Sequence, residues 1–224
     1  MVMKLSEQDH ANVSAAIAKA EGASNGEILA IAADQSDAYH DVGLHYAVLA
    51  LFLNMGVLAA WPKLLDWYWT LLMGWSEAPT QRELLTLLFG ILLFKFLVAL
   101  YIMKWVPLRL ALTPGTTKTR RVRRRAVSLF KAAAERRTVG RTGVLIYLSM
   151  REHRAEIVAD EAITAVTTPE TWGEAMAALI VEVKAGRPGD GIVAAIEQVG
   201  MVLSEHFPRS ADDTNEIPDK LIEL

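Results

Sequence analysis

The sequence predicts an α/β fold in which a small mixed sheet flanked by helices is interrupted by a two-helix transmembrane hairpin. Two long runs carry almost no charge: residues 42–61 contain no Asp, Glu, Lys or Arg, and residues 84–103 contain Lys95 alone. Each run is close to the ~20 residues that an α-helix needs to cross the hydrocarbon core of a bilayer. Shorter β-rich runs lie on both sides of this pair and alternate with helical patterns, which is typical of an α/β domain.

These runs divide the chain into a split domain and an insertion. Residues 1–43 form the first part of the domain, residues 44–106 the hairpin, and residues 107–208 the second part. Residues 209–224 are polar and show no periodic pattern, so they are assigned to a C-terminal tail. Without the hairpin about 160 residues remain, enough for one modest domain with its own core.

One helix and one strand are predicted before the hairpin. Ser6 is an N-cap residue followed by acidic residues in the first helical turn, a pattern that begins a helix. Glycines and polar residues at positions 22–26 end it. Residues 27–33 are mostly apolar and too few for a helix, so a buried strand is predicted. A further helix starts near Ser36 and continues into the first apolar run.

An aromatic turn is predicted between the two runs. Trp61, Trp67, Trp69 and Trp75 lie in it or beside it. Tryptophan is enriched where a membrane meets water, so these side chains are expected to form an aromatic belt.

Lys95 stands near the middle of the second run, where a charge is costly. Asn54 stands near the middle of the first run, so antiparallel helices would bring the two side chains to a similar depth. We expect Lys95 to face protein and to donate to Asn54 or to a backbone carbonyl, with Gly56 and Gly90 allowing the helices to approach closely. The alternative is a lysine on the lipid side that extends toward the head groups.

The second part of the domain is predicted to contain a linker, a basic helix, two strands and two helices, at residues 113–117, 120–137, 143–149, 153–160, 168–185 and 190–206. Trp172 has helical spacing with Met176, Leu179 and Ile180, so it is expected to lie in the core. A long helical crossover joins the first two strands, which predicts that Glu27–Ala33 and Gly143–Ser149 are parallel. A tight turn predicts antiparallel pairing of Gly143–Ser149 with Arg154–Ala159.

Charge and composition restrict the partners. The chain has no cysteine, which excludes disulfides and thiolate chemistry. Its formal net charge is −3, so it has no global positive field that would attract nucleic acid. A local basic cluster follows the second run and consists of Arg120, Arg121, Arg123, Arg124 and Arg125. Its place after a span favours binding of anionic lipid head groups over a nucleic-acid patch. The positive-inside rule then places both termini and the domain in the cytoplasm, with two spans in a bacterial inner membrane.

Two adjacent carboxylates, Asp160 and Glu161, follow the third strand, where sites often gather in α/β sheets. Together with Glu27 or Asp34 they could hold Ca²⁺ or Mg²⁺ through oxygen ligands. The alternative is a solvated turn in which Asp160 makes a local backbone hydrogen bond.

Residues 142–147, followed by residues 154–163, resemble the TPM domain family, which is named after thylakoid lumen phosphatase-like, photosystem II repair and MOLO proteins. The similarity extends to Trp172, Gly189, residues 206–208 and residues 215–219. The resemblance implies an α/β sandwich. It also implies one of two functions. Some relatives look like calcium-binding or weak acid phosphatases, and others look like assembly factors for membrane complexes. Where many relatives carry a Gly-Tyr-Gly-Leu-Glu turn, this chain has residues 159–163, without those glycines.

Two functions follow from these observations. The first is a membrane-anchored, non-enzymatic interaction or assembly module whose partners are the bilayer and other membrane proteins. The alternative is a metal-dependent, phosphatase-like hydrolase. The chain has no Gly-x-x-x-x-Gly-Lys-Thr loop and no His-Glu-x-x-His pair, and its five histidines are scattered singly. The sequence therefore favours the module.

Overall fold

The computed structural model describes four segments of the chain, residues 5–74, 78–133, 142–210 and 216–224. The chain forms two compact units. The first combines the chain up to Asp37 with the chain from Gly115 onward, and the second is Ala38–Pro114. The insertion predicted at residues 44–106 lies inside the second unit.

In chain order the elements are α1 (Glu7–Glu21), β1 (Glu27–Ala33), α2 (His40–Ala60), α3 (Lys63–Met73), α4 (Gln81–Ile102), α5 (Val106–Leu112), α6 (Gly115–Ala133), β2 (Gly143–Ser149), β3 (Arg154–Ala159), α7 (Glu161–Thr164), a 3₁₀ turn (Pro169–Trp172), α8 (Gly173–Lys184), α9 (Pro188–His206) and β4 (Leu221–Glu223).

The first unit is built on a mixed four-stranded sheet with the order β3-β2-β1-β4. β1 is parallel to β2, with Glu27 opposite Gly143 and Ala33 opposite Ser149. β2 is antiparallel to β3. Both predicted pairings, and the predicted fold of a small mixed sheet flanked by helices, are therefore confirmed.

Helices cover both faces of this sheet. Alternate residues of β1 and β2, such as Ile28 and Ile146, pack with α1, α8 and α9. The intervening residues, such as Leu29 and Tyr147, pack with α6. Since every residue of β1 and β2 is buried, both strands are nearly continuous apolar runs, as expected for strands covered on two sides.

The N-terminus of α1 forms as predicted. The Ser6 hydroxyl accepts from the backbone N–H of Asp9 at 3.1 Å. The Asp9 carboxylate accepts in return from the backbone N–H of Ser6 at 2.7 Å. This reciprocal pair is a capping box, which satisfies donors that the helix itself leaves open.

The C-terminal segment differs from the tail that the sequence predicts. Leu221–Glu223 forms β4, which pairs in parallel with β1 so that Ala30 lies opposite Leu221. Ile217 and Leu221 are buried. The strand has only three residues, so its sequence shows no periodicity, and it forms by pairing with the free edge of β1.

Other elements also differ from the prediction. The aromatic segment is the helix α3 rather than a turn, and α6 already begins at Gly115, inside the predicted linker. The helix predicted at residues 168–185 consists of a 3₁₀ turn followed by α8, and Ile180 is exposed rather than inward. Trp75 and residues 134–137 of the predicted basic helix lie outside the described residues.

The second unit contains two long apolar helices at the predicted positions. The most apolar 18-residue windows of α2 and α4 have mean hydropathies of 1.8 and 2.4, so by length and composition each helix could cross a membrane. Large apolar side chains stay exposed along both, for example Leu53, Phe89 and Phe94. Gly56 and Gly90 do not form a close helix contact, because a Cβ at either position would meet no atom within 4 Å.

Leu203 tests the packing of α9 on the sheet. Its side chain is fully buried in the core on the α1 side of the sheet. We expect Leu203→Ala to lower the free energy of unfolding by about 2–5 kcal/mol, because it leaves a cavity in a packed core. Met201 on the same helix is exposed, so Met201→Ala should change stability by less than about 0.5 kcal/mol. Equal midpoints for the two variants in chemical denaturation would contradict this packing.

Candidate functional site

The carboxylate of Glu27, a predicted metal ligand, holds the C-terminal segment. It accepts backbone N–H groups from Glu216 at 3.1 Å and from Ile217 at 3.0 Å, and Glu27 is buried. Asp34 stands at the other end of β1 and forms an ion pair with Arg151, with a nitrogen–oxygen distance of 2.9 Å. Glu27 and Asp34 are therefore separated by the length of the strand.

The other two predicted ligands, Asp160 and Glu161, lie at the same end of the strands as Glu27. Asp160 is buried and caps α7 by accepting the backbone N–H of Glu161 at 2.9 Å, which is the local bond that the alternative interpretation expects. Two strand spacings, roughly 10 Å, separate the start of β1 from the end of β3. Within the described segments, no group of three or more His, Asp or Glu side chains is placed to hold a metal ion. The Ca²⁺ or Mg²⁺ site stays a prediction, without support from this arrangement.

A buried acidic cluster beside Glu27 is absent from the sequence-based prediction. Glu21, at the end of α1, accepts the backbone N–H of Ile28 at 2.8 Å and shares a hydrogen bond with Asp219. Burial, reinforced by the negative charges of Glu27 and Asp219, raises the pKa of Glu21 to about 9. Glu21 is therefore protonated at neutral pH.

The carboxyl ends of β1 and β2 carry a second polar cluster that the sequence does not predict. Glu152 accepts the backbone N–H of Ser36 at 2.8 Å and the hydroxyl of Ser149. The hydroxyls of Ser36 and Tyr147 lie 3.0 Å apart. Burial raises the pKa of Tyr147. These groups form hydrogen bonds with one another and connect the loop after β1 to the turn after β2. In the sequence, the three-residue spacing of Ser149 and Glu152 is the pattern that could have indicated this cluster.

The predicted basic cluster lies on α6. Arg120, Arg123, Arg124 and Arg125 are exposed, whereas the side chain of Arg121 is only 14% exposed and lies 3.2 Å from the carboxylate of Asp37. The opposite face of α6 carries Val122, Ala126 and Phe130 into the core. The helix therefore presents four arginines to solvent.

The predicted polar contact of the second unit is present. Lys95 Nζ donates to Asn54 Oδ1 at 2.7 Å. The Asn54 side chain in turn donates to the carbonyl of Ala50 at 2.7 Å. Lys95 Nζ also lies 5.4 Å from the centre of the Tyr68 ring, a favourable distance for a cation and an aromatic face. The one lysine of α4 thus contacts a side chain of α2 and a side chain of α3.

A groove of about 550 Å³ follows the outer edge of β3. β3 is the last strand in the sheet order, and no described strand pairs with its outer edge. Five consecutive residues, 155–159, line the groove. Successive side chains of a strand point to opposite faces, so a groove that contacts all five runs along the edge of the strand rather than over one face.

The backbone of β3 is open toward this groove. The backbone N–H of Asp160 donates to the carbonyl of Gly143 at 2.9 Å. Residues of an antiparallel strand alternate between bonding to the neighbour and pointing away from it. Because Asp160 bonds to β2, its neighbour Ala159 points away from β2, and so does every second residue before it in the register. The N–H and C=O groups of Ala155, Ile157 and Ala159 therefore point away from β2.

Two different walls enclose the groove. α6 contributes Arg123 and Val127, and on this side Glu156 projects from β3. Burial raises the pKa of Glu156, although the positive charges of Arg123 and Arg154 act in the opposite direction. The second wall is more apolar and contains Trp172, Met176 and three threonines, Thr164, Thr167 and Thr168.

Trp172 combines two roles. It packs against the core on the α8 side of the sheet, as the sequence predicts, but it is only partly buried and also lines the groove. The sequence could not indicate this second contact, because the groove requires α6, β3 and the 3₁₀ turn to be brought together.

Comparison with known proteins identifies a domain. The model of the TPM domain matches residues 106–202. This part of the chain is a TPM domain. The matched residues begin in α5 and end in α9, so they include β2, β3 and every residue that lines the groove, whereas β1 and β4 lie outside them.

A solved structure supports the fold of this TPM protein. The BA42 protein from the psychrophilic bacterium Bizionia argentinensis is 19% identical, with a TM-score of 0.56 over 98% of this chain and 95% of that chain. At this identity the likeness concerns the fold alone. No curated protein matches the chain.

Glu21 makes the stability of the TPM protein depend on pH. Its pKa of about 9 in the folded state exceeds the ordinary value of 4.5, so the folded state binds more protons than the unfolded state between these values. Stability should therefore fall as pH rises through this window. We expect Glu21→Gln, which keeps a hydrogen-bonding group and removes the titration, to be more stable than the wild type at pH 8 by roughly 1–3 kcal/mol.

Thermal melting of both proteins across pH checks this expectation. The two curves should converge toward acid pH, because Glu21 is protonated there in both the folded and unfolded chains. A constant difference between them at all pH values would contradict the assignment of the proton to Glu21.

The contact between Lys95 and Asn54 can be measured with a double-mutant cycle. We expect Lys95→Leu and Asn54→Leu each to alter the stability of the second unit, with a coupling energy of about 1 kcal/mol, the usual net size for a side-chain hydrogen bond. Denaturation of the full chain in detergent micelles gives the four free energies. Additive effects would show that the two side chains do not stabilise one another.

Proposed function

We propose that this TPM protein is a membrane-anchored interaction or assembly module without catalytic activity. The second unit is the anchor and crosses a bacterial inner membrane twice. The first unit is the interaction domain and lies on the cytoplasmic side. Its partners are other membrane proteins, and its basic helix contacts anionic lipid head groups.

The surface of α2 and α4 supports the anchor. Phe89 and Phe94 are each 67% exposed, and Leu53 is 66% exposed. Monomeric soluble proteins rarely expose contiguous apolar surface on this scale. A bilayer covers such side chains without a protein partner, and the pair formed by Lys95 and Asn54 satisfies the strongest polar group of the two helices.

The observation that carries the interaction role is the groove at the edge of β3. A strand edge with open N–H and C=O groups is a template for a further strand. Two of the predicted metal ligands, Glu27 and Asp160, are instead bound to backbone N–H groups. The geometry thus favours recognition of a chain over chemistry on a substrate.

The exposed arginines of α6 support the contact with lipid. Arg120, Arg124 and Arg125 are exposed, and α6 begins within a few residues of α5 along the chain. Each cation near an anionic membrane surface contributes about 1 kcal/mol of binding free energy. The cytoplasmic leaflet is the surface that carries this negative charge, which agrees with the orientation expected from the positive-inside rule.

Cysteine labelling tests the anchor and its orientation, because the chain has no cysteine of its own. Ala78 is exposed between α3 and α4, and Met201 is exposed on α9. In intact bacteria, a membrane-impermeant maleimide should label Ala78→Cys, and it should label Met201→Cys only after the inner membrane is opened. The wild-type chain is the control and should stay unlabelled.

Two results would overturn the proposed anchor. Alkaline carbonate should leave the protein in the membrane pellet, since the apolar helices hold it there, and release into the supernatant would exclude two spans. Labelling of Met201→Cys in intact cells would place the TPM domain outside the cytoplasm and contradict the orientation.

A further inference from the structure

We propose that the groove along β3 binds an extended segment of a partner protein, which adds to the sheet as a fifth strand and in which apolar residues alternate with acidic residues. The inference rests on the proposed function, because it names the surface and the chemistry by which the module takes its partner.

The backbone supplies the first argument. Ala155, Ile157 and Ala159 direct their N–H and C=O groups away from β2. These groups match the hydrogen-bond pattern of an added strand, which is how several families of binding domains take extended peptides. Five residues of β3 line the groove, and at ~3.3 Å per residue they span about 17 Å, so they fit a segment of similar length.

The two walls supply the second argument, because they differ in chemistry. An added strand points alternate side chains toward opposite faces of the sheet. On one face these side chains would meet Ile157, Trp172 and Met176, which pack at the apolar core. On the other face they would meet Glu156 of β3 and Arg123 of α6. The groove therefore selects a segment that is apolar at every second position.

Charge decides which residues occupy the remaining positions. The wall formed by α6 carries Arg123, with Arg120 and Arg124 exposed on the same helix. Glu156 is the acidic side chain in the groove, and its burial raises its pKa, which disfavours its negative charge. Positive potential thus dominates this wall, and acidic side chains of the partner are attracted to it.

The same charge disfavours a second copy of the chain as the occupant. Two copies paired through β3 would bring two α6 helices to the same interface, each with exposed Arg120, Arg123 and Arg124. Like charges placed opposite one another destabilise such a pair. A partner with acidic residues has the complementary charge.

Peptide binding to the full chain in detergent micelles tests the proposal. The probe is a fluorescent peptide of about seven residues in which valine alternates with glutamate, and the comparison peptide carries lysine in place of glutamate. Fluorescence anisotropy should show binding of the glutamate peptide and binding at least about tenfold weaker for the lysine peptide. No binding of the glutamate peptide at millimolar concentration overturns the proposal.

Variants of Ile157 test the strand addition. Ile157→Pro removes an outward N–H and keeps the bonds between β3 and β2, a position at which a strand tolerates proline. Ile157→Ala also shortens the side chain but retains the N–H, so it is the matched control. We expect Ile157→Pro to weaken binding at least about tenfold relative to Ile157→Ala. Equal affinities would exclude hydrogen bonding to this edge.

A variant on a different element keeps the test independent of the folding of β3. Arg123→Glu should reverse the preference, so that the lysine peptide binds more tightly than the glutamate peptide. Lys184→Glu makes the same change in net charge on an exposed residue at the far end of α8, and it should leave the preference unchanged. An unchanged preference in Arg123→Glu overturns the charge rule.

The remaining outcomes separate this proposal from the proposed function. If the wild type is a dimer in micelles and Ile157→Pro is a monomer, the occupant is a second copy and the proposal is wrong. If the chain is anchored and a purified membrane partner binds Ile157→Pro as tightly as the wild type, the interaction module stands and the groove is not its surface. If the peptides bind as expected but carbonate releases the chain from membranes, the anchor fails and the groove stands.

Discussion

The parallel pairing of β1 with β2 is the constraint on which the rest of the chain depends. Parallel strands need a crossover of a dozen or more residues. Here the crossover comprises residues 34–142 and contains the whole of the apolar unit, Ala38–Pro114. Both strands are buried along their full length, so helices must cover both faces of the sheet. β1 pairs with β2 on one side, and β4 pairs with its other side. β3 is the outermost strand next to β2, and its outer side borders the groove.

The sequence predicts the elements that depend on local pattern. The two apolar helices and the three longer strands have enough consecutive apolar residues to be recognised, and the crossover rule then gives their pairing. α3 and β4 are not predicted, for different reasons. Lys63–Met73 is an aromatic segment between two long apolar helices, and its many tryptophan and tyrosine side chains indicated an interfacial turn rather than a helix. Leu221–Glu223 has only three residues, and its strand depends on register with Ala30 across the chain.

The candidate site is less predictable, because side chains of the same type serve different purposes. Glu27 and Asp160 are acidic residues at strand ends, a pattern that is typical of metal ligands, and the structure shows both bound to backbone N–H groups. Lys95 was predictable, because a cation in an apolar helix needs a nearby acceptor and Asn54 is the polar residue at matching depth. The groove could not be predicted from the sequence, because Arg123, Ile157 and Trp172 lie in three separate segments and show no common pattern.

The position of the apolar unit within the crossover also affects how the protein is made. β1 leaves the ribosome before either of its neighbours, β2 and β4, has been synthesised. At ~5–20 residues per second, the roughly 110 residues between β1 and β2 take about 5–20 s to appear. Throughout that interval Glu27–Ala33, which the finished domain buries completely, has no partner strand and no cover from α9. The nascent chain therefore leaves an apolar strand without its partner for many seconds, until Gly143–Ser149 emerges.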